Sequence, residues 1–150
     1  MTITRRQALA LGAGAAVLTA AGLPSLAFAD DAKVQAAIDA FSGGAAPETG
    51  TVSLTAPEIA ENGNTVPIGV SVDSPMTEAD HVTEVILLAA GNPQPGVATF
   101  HFSPMSGAAE ATTRMRLAKT QDVIALAKTS TGKVYMDRKS VKVTIGGCGG

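Results

Sequence analysis

The one cysteine of this 150-residue chain stands in Gly146-Gly147-Cys148-Gly149-Gly150, two residues before the sequence stops. Glycine has no Cβ and loses more freedom on ordering than any other residue, so such a tail adds little to a core. What it offers is a thiol on a thin tether. The three residue steps from Ile145 to Cys148 span about 10 Å when extended, enough to pass the sulfur into a narrow pocket of another protein. No Lys, Arg or His lies within the five residues before Cys148. An unperturbed thiol is only about 3% ionised at pH 7, and a nearby terminal carboxylate does not help it. Activation therefore has to come from a partner. The expected chemistry is done by a partner on a group that this chain carries. A lone cysteine in an exported protein also allows a disulfide dimer through Cys148.

Other chemistry-bearing residues are sparse. His81 and His101 have no Cys, His, Asp or Glu at metal-ligand spacing. His101 sits between Phe100 and Phe102 and is expected to point away from their face. Glu78, Asp80 and Glu84 cluster near His81 and read as a solvated loop and strand start rather than an acid/base pair. There is no nucleophile elbow and no phosphate-binding glycine loop. The site expectation is thus covalent attachment at Cys148, an arm of Gly146, Gly147, Gly149 and Gly150, no catalytic residue, no metal and no cofactor.

The other end of the chain bears on compartment. Thr4-Arg5-Arg6-Gln7-Ala8-Leu9 sets twin arginines before an Ala/Gly-rich apolar run to Ala21, and Ala27-Phe28-Ala29 supplies small residues for cleavage. This layout is a Tat-type signal peptide, cleaved after Ala29, and it predicts a periplasmic protein. A membrane anchor is the alternative, but the run is short for a span. Tat export moves folded cargo, so a partner can cross with the chain. Removing residues 1–29 leaves nine basic against thirteen acidic side chains. With no basic stripe and few aromatic residues, nucleic-acid binding is disfavoured.

The elements that must hold the tail read as follows. Val34, Ala37, Ile38 and Phe41 fall on one side of a helix over Asp31–Phe41, capped by Asp30 or Asp31 and stopped by Ser42-Gly43-Gly44. Strands follow. Val52 and Leu54 alternate, as do Val66, Ile68, Val70 and Val72, with Pro67 marking a strand start or an edge. Val82–Leu88 is apolar on both faces in its second half, as a central strand would be. Val97–Phe102, the alternation from Ala111 to Leu117, and Val123–Ala127 come next. Glu61-Asn62-Gly63-Asn64, Asn92-Pro93-Gln94-Pro95-Gly96 and Ser130-Thr131-Gly132 read as turns. The last strand turns Val141, Val143 and Ile145 inward and runs straight into the glycines. Six to eight short strands with almost no helix predict a mainly β protein, an antiparallel immunoglobulin-like sandwich. A small closed barrel is the alternative. The organisation is a signal peptide over 1–29, one sandwich over 30–145, and a flexible carrier arm over 146–150.

With these residues in view the chain resembles the SoxY family, the sulfur carriers of the Sox thiosulfate-oxidation system. The resemblance rests on the Gly146-Gly147-Cys148-Gly149-Gly150 tail and the twin-arginine signal. It extends to the helix before Phe41, Asn62-Gly63-Asn64-Thr65-Val66-Pro67, Val72-Asp73-Ser74-Pro75-Met76 and Ala118-Lys119-Thr120. It implies a tight complex with a SoxZ-like second sandwich protein. It also implies transient docking to a SoxAX-like c-type cytochrome, a SoxB-like hydrolase and a SoxCD-like sulfur dehydrogenase. Cys148 would carry a thiosulfonate and then a persulfide. Two other readings remain: a carrier using a Gly150 thiocarboxylate, and a structural sandwich that dimerises through Cys148.

Overall fold

A computed structural model describes residues 27–147. Residues 1–26 of the signal peptide expected over 1–29, together with Cys148, Gly149 and Gly150, lie outside the described residues. Among the described residues eight strands follow one helix: α1 Ala27–Ser42, β1 Val52–Thr55, β2 Ile59–Asn62, β3 Val66–Val72, β4 Val82–Ala89, β5 Gly96–His101, β6 Ala109–Met115, β7 Gln121–Thr129 and β8 Val134–Ile145. A 3-10 turn at Pro104–Ser106 joins β5 to β6. The strands form a three-stranded sheet in the order β1-β3-β6 and a five-stranded sheet in the order β2-β8-β7-β4-β5. The expected sandwich is present, with one departure from antiparallel pairing: β2 runs parallel to β8.

The core between the sheets is built by the alternations seen in the sequence. Val52 and Leu54 of β1, Val66, Ile68, Val70 and Val72 of β3, and Val123, Ala125 and Ala127 of β7 are all buried there. Pro67 stands at the start of β3, as its missing donor requires, but not on an edge strand. β1 pairs with β3 only from Gly69 to Val72, so Pro67 lies beyond its reach. The two sheets are also joined on the β1 side, where the Leu54 N–H donates to Asp137 Oδ2 of β8 at 2.8 Å.

The helix covers the outer face of the five-stranded sheet. Val34, Ile38 and Phe41 pack on Leu88, Ile124, Leu126 and Val134. Lys128 Nζ sits 4.7 Å from the centroid of the Phe41 ring, a cation–π contact. Gly43 and Gly44, at φ 67 and 85, stop the helix. It already runs at Ala27, the first described residue, so neither Asp30 nor Asp31 caps its start. Processing after Ala29 would leave Val34, Ile38 and Phe41 in place. Among the described residues no helix is long and apolar enough to cross a membrane.

The helix is held by a few apolar side chains, so truncating one has a defined effect. Ile38 is buried at 5% exposure, and Ile38→Ala is expected to lower unfolding free energy by about 2–3 kcal/mol in urea titration. A change of about 0.5 kcal/mol or less, typical of surface sites, would show that the helix is not docked this way.

Candidate functional site

The tail is delivered by β8, the longest strand at 12 residues. Its first eight residues, Val134 to Val141, pair with β7. On its other edge, Glu48 exchanges backbone bonds with Val134 and Met136. Further along the same edge β2 takes over, with Ile59 opposite Lys142, Ala60 opposite Val143 and Asn62 opposite Ile145. Val141 is fully buried and Val143 half-buried. Ile145, expected to face inward, is 66% exposed. It keeps the inward parity of Val141 and Val143, but the core ends before the strand does.

Beyond Ile145 three backbone segments meet. The Gly63 N–H donates to the Ile145 carbonyl at 2.7 Å, the Leu117 N–H to the Gly63 carbonyl at 2.8 Å, and the Gly147 N–H to the Leu117 carbonyl at 2.9 Å. Gly63 lies in the turn between β2 and β3. Leu117 follows β6, and Gly147 follows β8. These bonds join the ends of both sheets at one corner of the sandwich. The packing leaves no room for side chains. A Cβ on Gly63 would overlap the Leu117 carbonyl oxygen and stand 2.8 Å from the Gly147 nitrogen. One on Gly146 would overlap the Ala118 carbonyl oxygen, and one on Gly147 would stand 2.7 Å from the Gly63 oxygen. None of the three has a positive φ. Their need for glycine therefore comes from close backbone approach, a cause beside the freedom expected of an arm.

The receiving segment is itself pinned. Asn92 and Gln121 are buried at 5% and 7% exposure. The Asn92 amide donates to the Arg116 carbonyl at 2.8 Å, and its oxygen accepts from the Ala118 N–H at 3.0 Å and the Gln121 amide at 2.9 Å. Gln121 also donates to the Lys119 carbonyl and accepts from the Gly91 N–H. Residues 116–119 are thus held by two buried amides, and they hold Gly146 and Gly147 in turn. Sequence reading placed Asn92 in a turn. It missed that the side chain turns inward, because nothing in the residues around Asn92 separates that case from a solvated turn. At Thr120 the hydroxyl accepts from the Val143 N–H at 2.9 Å, tying the same connection to β8.

The remaining candidates stay apart from this corner's bonds. Nδ1 of His81 is 3.0 Å from the Thr77 carbonyl. His101 is exposed at the end of β5, opposite Glu84. Glu78 and Asp80 lie in the loop before β4. Among the described residues no three His, Cys, Asp or Glu side chains converge on a metal position. Arg116 and Lys119, both exposed, flank the Leu117-Ala118 pair on which Gly146 and Gly147 sit.

The buried amides give a direct test of how the corner is built. Asn92→Ala takes a partner from the Ala118 N–H, the Arg116 carbonyl and one N–H of the Gln121 amide, at an expected loss of about 2 kcal/mol by urea denaturation. Amide exchange should speed up at Ala118 while the helix keeps its protection. Unchanged exchange at Ala118 would mean that residues 116–119 are held by something else.

Comparison with known proteins bears on this geometry. Residues 38–148 match the family described as sulfur oxidation protein SoxY. The solved structure of the sulfur carrier protein SoxY from Chlorobium limicola f. thiosulfatophilum is 34% identical, covering 77% of this chain and 99% of that one, with a TM-score of 0.63. A superoxide reductase from Ignicoccus hospitalis is 21% identical over 62% of this chain and 79% of its own, with a TM-score of 0.56. A putative superoxide reductase from Thermotoga maritima is 20% identical over 69% and 89%, at 0.53. These two likenesses extend to the fold alone. A search of the curated proteins gave no match. The match of the family over most of the chain, together with the mainly β fold that ends in this glycine-packed corner, places the chain in the SoxY family.

Proposed function

We propose that this chain is a periplasmic sulfur carrier that holds thiosulfate-derived sulfur covalently on Cys148 and presents it to partner enzymes without catalysing a step itself. The observation that carries this reading is the extent of the family match, which runs through residue 148 and so includes the only thiol. The carrier named in the Chlorobium structure supports it.

In this reading a c-type cytochrome of the SoxAX kind joins the Cys148 sulfur to the outer sulfur of thiosulfate. The thiol gives up its proton, and two electrons leave to the haem. The product is a cysteine S-thiosulfonate. A hydrolase of the SoxB kind adds water across the bond to the sulfonate, releasing sulfate and leaving a persulfide on Cys148. A sulfur dehydrogenase of the SoxCD kind takes six electrons from the outer sulfur as three waters supply its oxygens. A second hydrolysis releases sulfate and restores the thiol. Each enzyme has to admit the same sulfur, and Gly149 and Gly150 put no side chain beyond the cysteine to obstruct a narrow pocket. A SoxZ-like sandwich protein would be the stable partner, exported with this chain by the Tat route.

Intact and peptide mass spectrometry of the protein from thiosulfate-grown cells tests this reading. The expected finding is a reductant-sensitive adduct on the Cys148 peptide, of thiosulfonate or sulfane sulfur mass. Cys148→Ser should remove it and leave the urea midpoint unchanged. Finding only free thiol or simple disulfide dimer would favour the dimerising sandwich, and modification at Gly150 would favour the thiocarboxylate carrier. Gly149→Val should leave alkylation by small reagents unchanged while lowering loading by the cytochrome enzyme at least about tenfold, a loss of about 1.4 kcal/mol in transition-state binding. Equal loading would remove the argument from a narrow pocket.

A further inference from the structure

The Asn62-Gly63-Asn64 turn stands out in the sequence, yet the carrier chemistry gives it no part. We infer that this turn is a clasp for the arm, and that Gly63 is a positioning residue that fixes where Cys148 leaves the body of the protein. Only the functional consequence rests on the sulfur-carrier reading; the clasp itself does not.

Three observations converge on Gly63. Its N–H holds the last residue of β8 through the Ile145 carbonyl, and its own carbonyl accepts from Leu117. Leu117 in turn accepts the Gly147 N–H. A peptide unit on each side of Gly146 is therefore tied to the body, one through the Ile145 carbonyl and one through the Gly147 N–H. The turn is locally ordered, because the Asn62 side-chain oxygen accepts from the Asn64 N–H at 2.9 Å, an Asx turn. Lastly, Gly63 needs to be glycine for contact and not for conformation, since its φ is not positive and a Cβ would run into both Leu117 and Gly147.

The consequence is a short reach from a fixed point. Counted from Ile145, the thiol's backbone would sweep about 10 Å. Counted from Gly147, Cys148 is one peptide step away, about 3.8 Å between Cα atoms. A partner enzyme then has to bring its pocket to the corner formed by Gly63, Leu117 and Ala118, because the arm does not travel to a distant pocket while the clasp holds. Breaking the clasp would lengthen the tether by two residues and make the thiol's position diffuse. A diffuse thiol reacts as well with a small reagent, but it is a poorer substrate for an enzyme that must catch it.

The test compares the full chain with Gly63→Ala, and with Gly69→Ala as a control. A Cβ at Gly69 would meet Thr55 Cβ at an ordinary 3.5 Å. A nitroxide attached to Cys148 reports mobility at the root of the arm, and residue-resolved amide exchange by NMR reports the Gly147 bond. In the unaltered protein the Gly147 amide should exchange at least about tenfold more slowly than a free peptide. In Gly63→Ala that protection should vanish and the nitroxide lines should narrow, while Gly69→Ala changes neither. Small-reagent alkylation of Cys148 should stay within about twofold, and the KM of the loading enzyme for the carrier should rise more than kcat falls. If Gly63→Ala does not fold, the Gly147 exchange rate of the unaltered protein still decides. An unprotected Gly147 amide, or unchanged nitroxide lines in a folded Gly63→Ala, would overturn the clasp. A protected amide and narrowed lines in a protein that never bears a sulfur adduct would leave the clasp standing and remove the carrier reading instead.

Discussion

Strand β7 is buried on both faces from Val123 to Ala127, and the rest of the structure follows from that constraint. It lies at the centre of the five-stranded sheet, between β8 and β4. Val123, Ala125 and Ala127 fill the space between the sheets, while Ile124 and Leu126 point the other way. Two sheets can cover only the first set. Burying Ile124 and Leu126 is worth about 1.5–3 kcal/mol each, and that gain exists only if something is laid over the outer face. The N-terminal helix does this with Val34, Ile38 and Phe41. The molecule is therefore three layers deep, helix on sheet on sheet, although its short strands and turns alone describe two.

Burial of β7 also settles where the tail must leave. β8 pairs with β7 along eight residues, so its path is fixed by the strand with most to bury. Past Val141 the partner changes to the short parallel strand β2, and the core gives out at Ile145. A strand that outruns its core would fray unless its last peptide groups found partners. Here they find them in backbone from the other sheet's side of the sandwich, through Gly63 and Leu117. The Asn92 and Gln121 amides make that receiving backbone rigid. A fully satisfied pair of buried amides is a stiff support, because any displacement leaves a polar group unpaired in the interior.

Much of this was legible in residue order. Val66, Ile68, Val70 and Val72 announce their strand by alternation, and the continuous run Val123–Ala127 announces a strand buried on both faces. The helix is legible in the spacing of Val34, Ile38 and Phe41. What was not legible has physical reasons. β2 has four residues of which only Ala60 is buried, so it carries no alternation to read. Its parallel pairing with β8 is a long-range register that no local pattern encodes. The exposure of Ile145 depends on where the core ends, not on which face the residue takes. Asn92 sits in an Asn-Pro turn, and a turn-forming asparagine looks the same in sequence whether its side chain faces water or the interior.

The glycines carry the deepest version of that ambiguity. In sequence, Gly63 is a turn residue and Gly146 and Gly147 are part of a featureless tether. All three could be glycine for freedom alone. The positions a Cβ would take show another reason, since each would strike backbone of a neighbouring segment. Absence of a side chain serves mobility and close packing equally well, and only the surroundings tell which is at work. A carrier needs both: a tip slim enough for another protein's pocket, and a root that does not wander. Placing glycine throughout the tail satisfies both with one residue type. In the proposed carrier Gly149 and Gly150 would keep the tip slim, whereas Gly146 and Gly147 let the root lie against Gly63 and Ala118, where any side chain would pry it away.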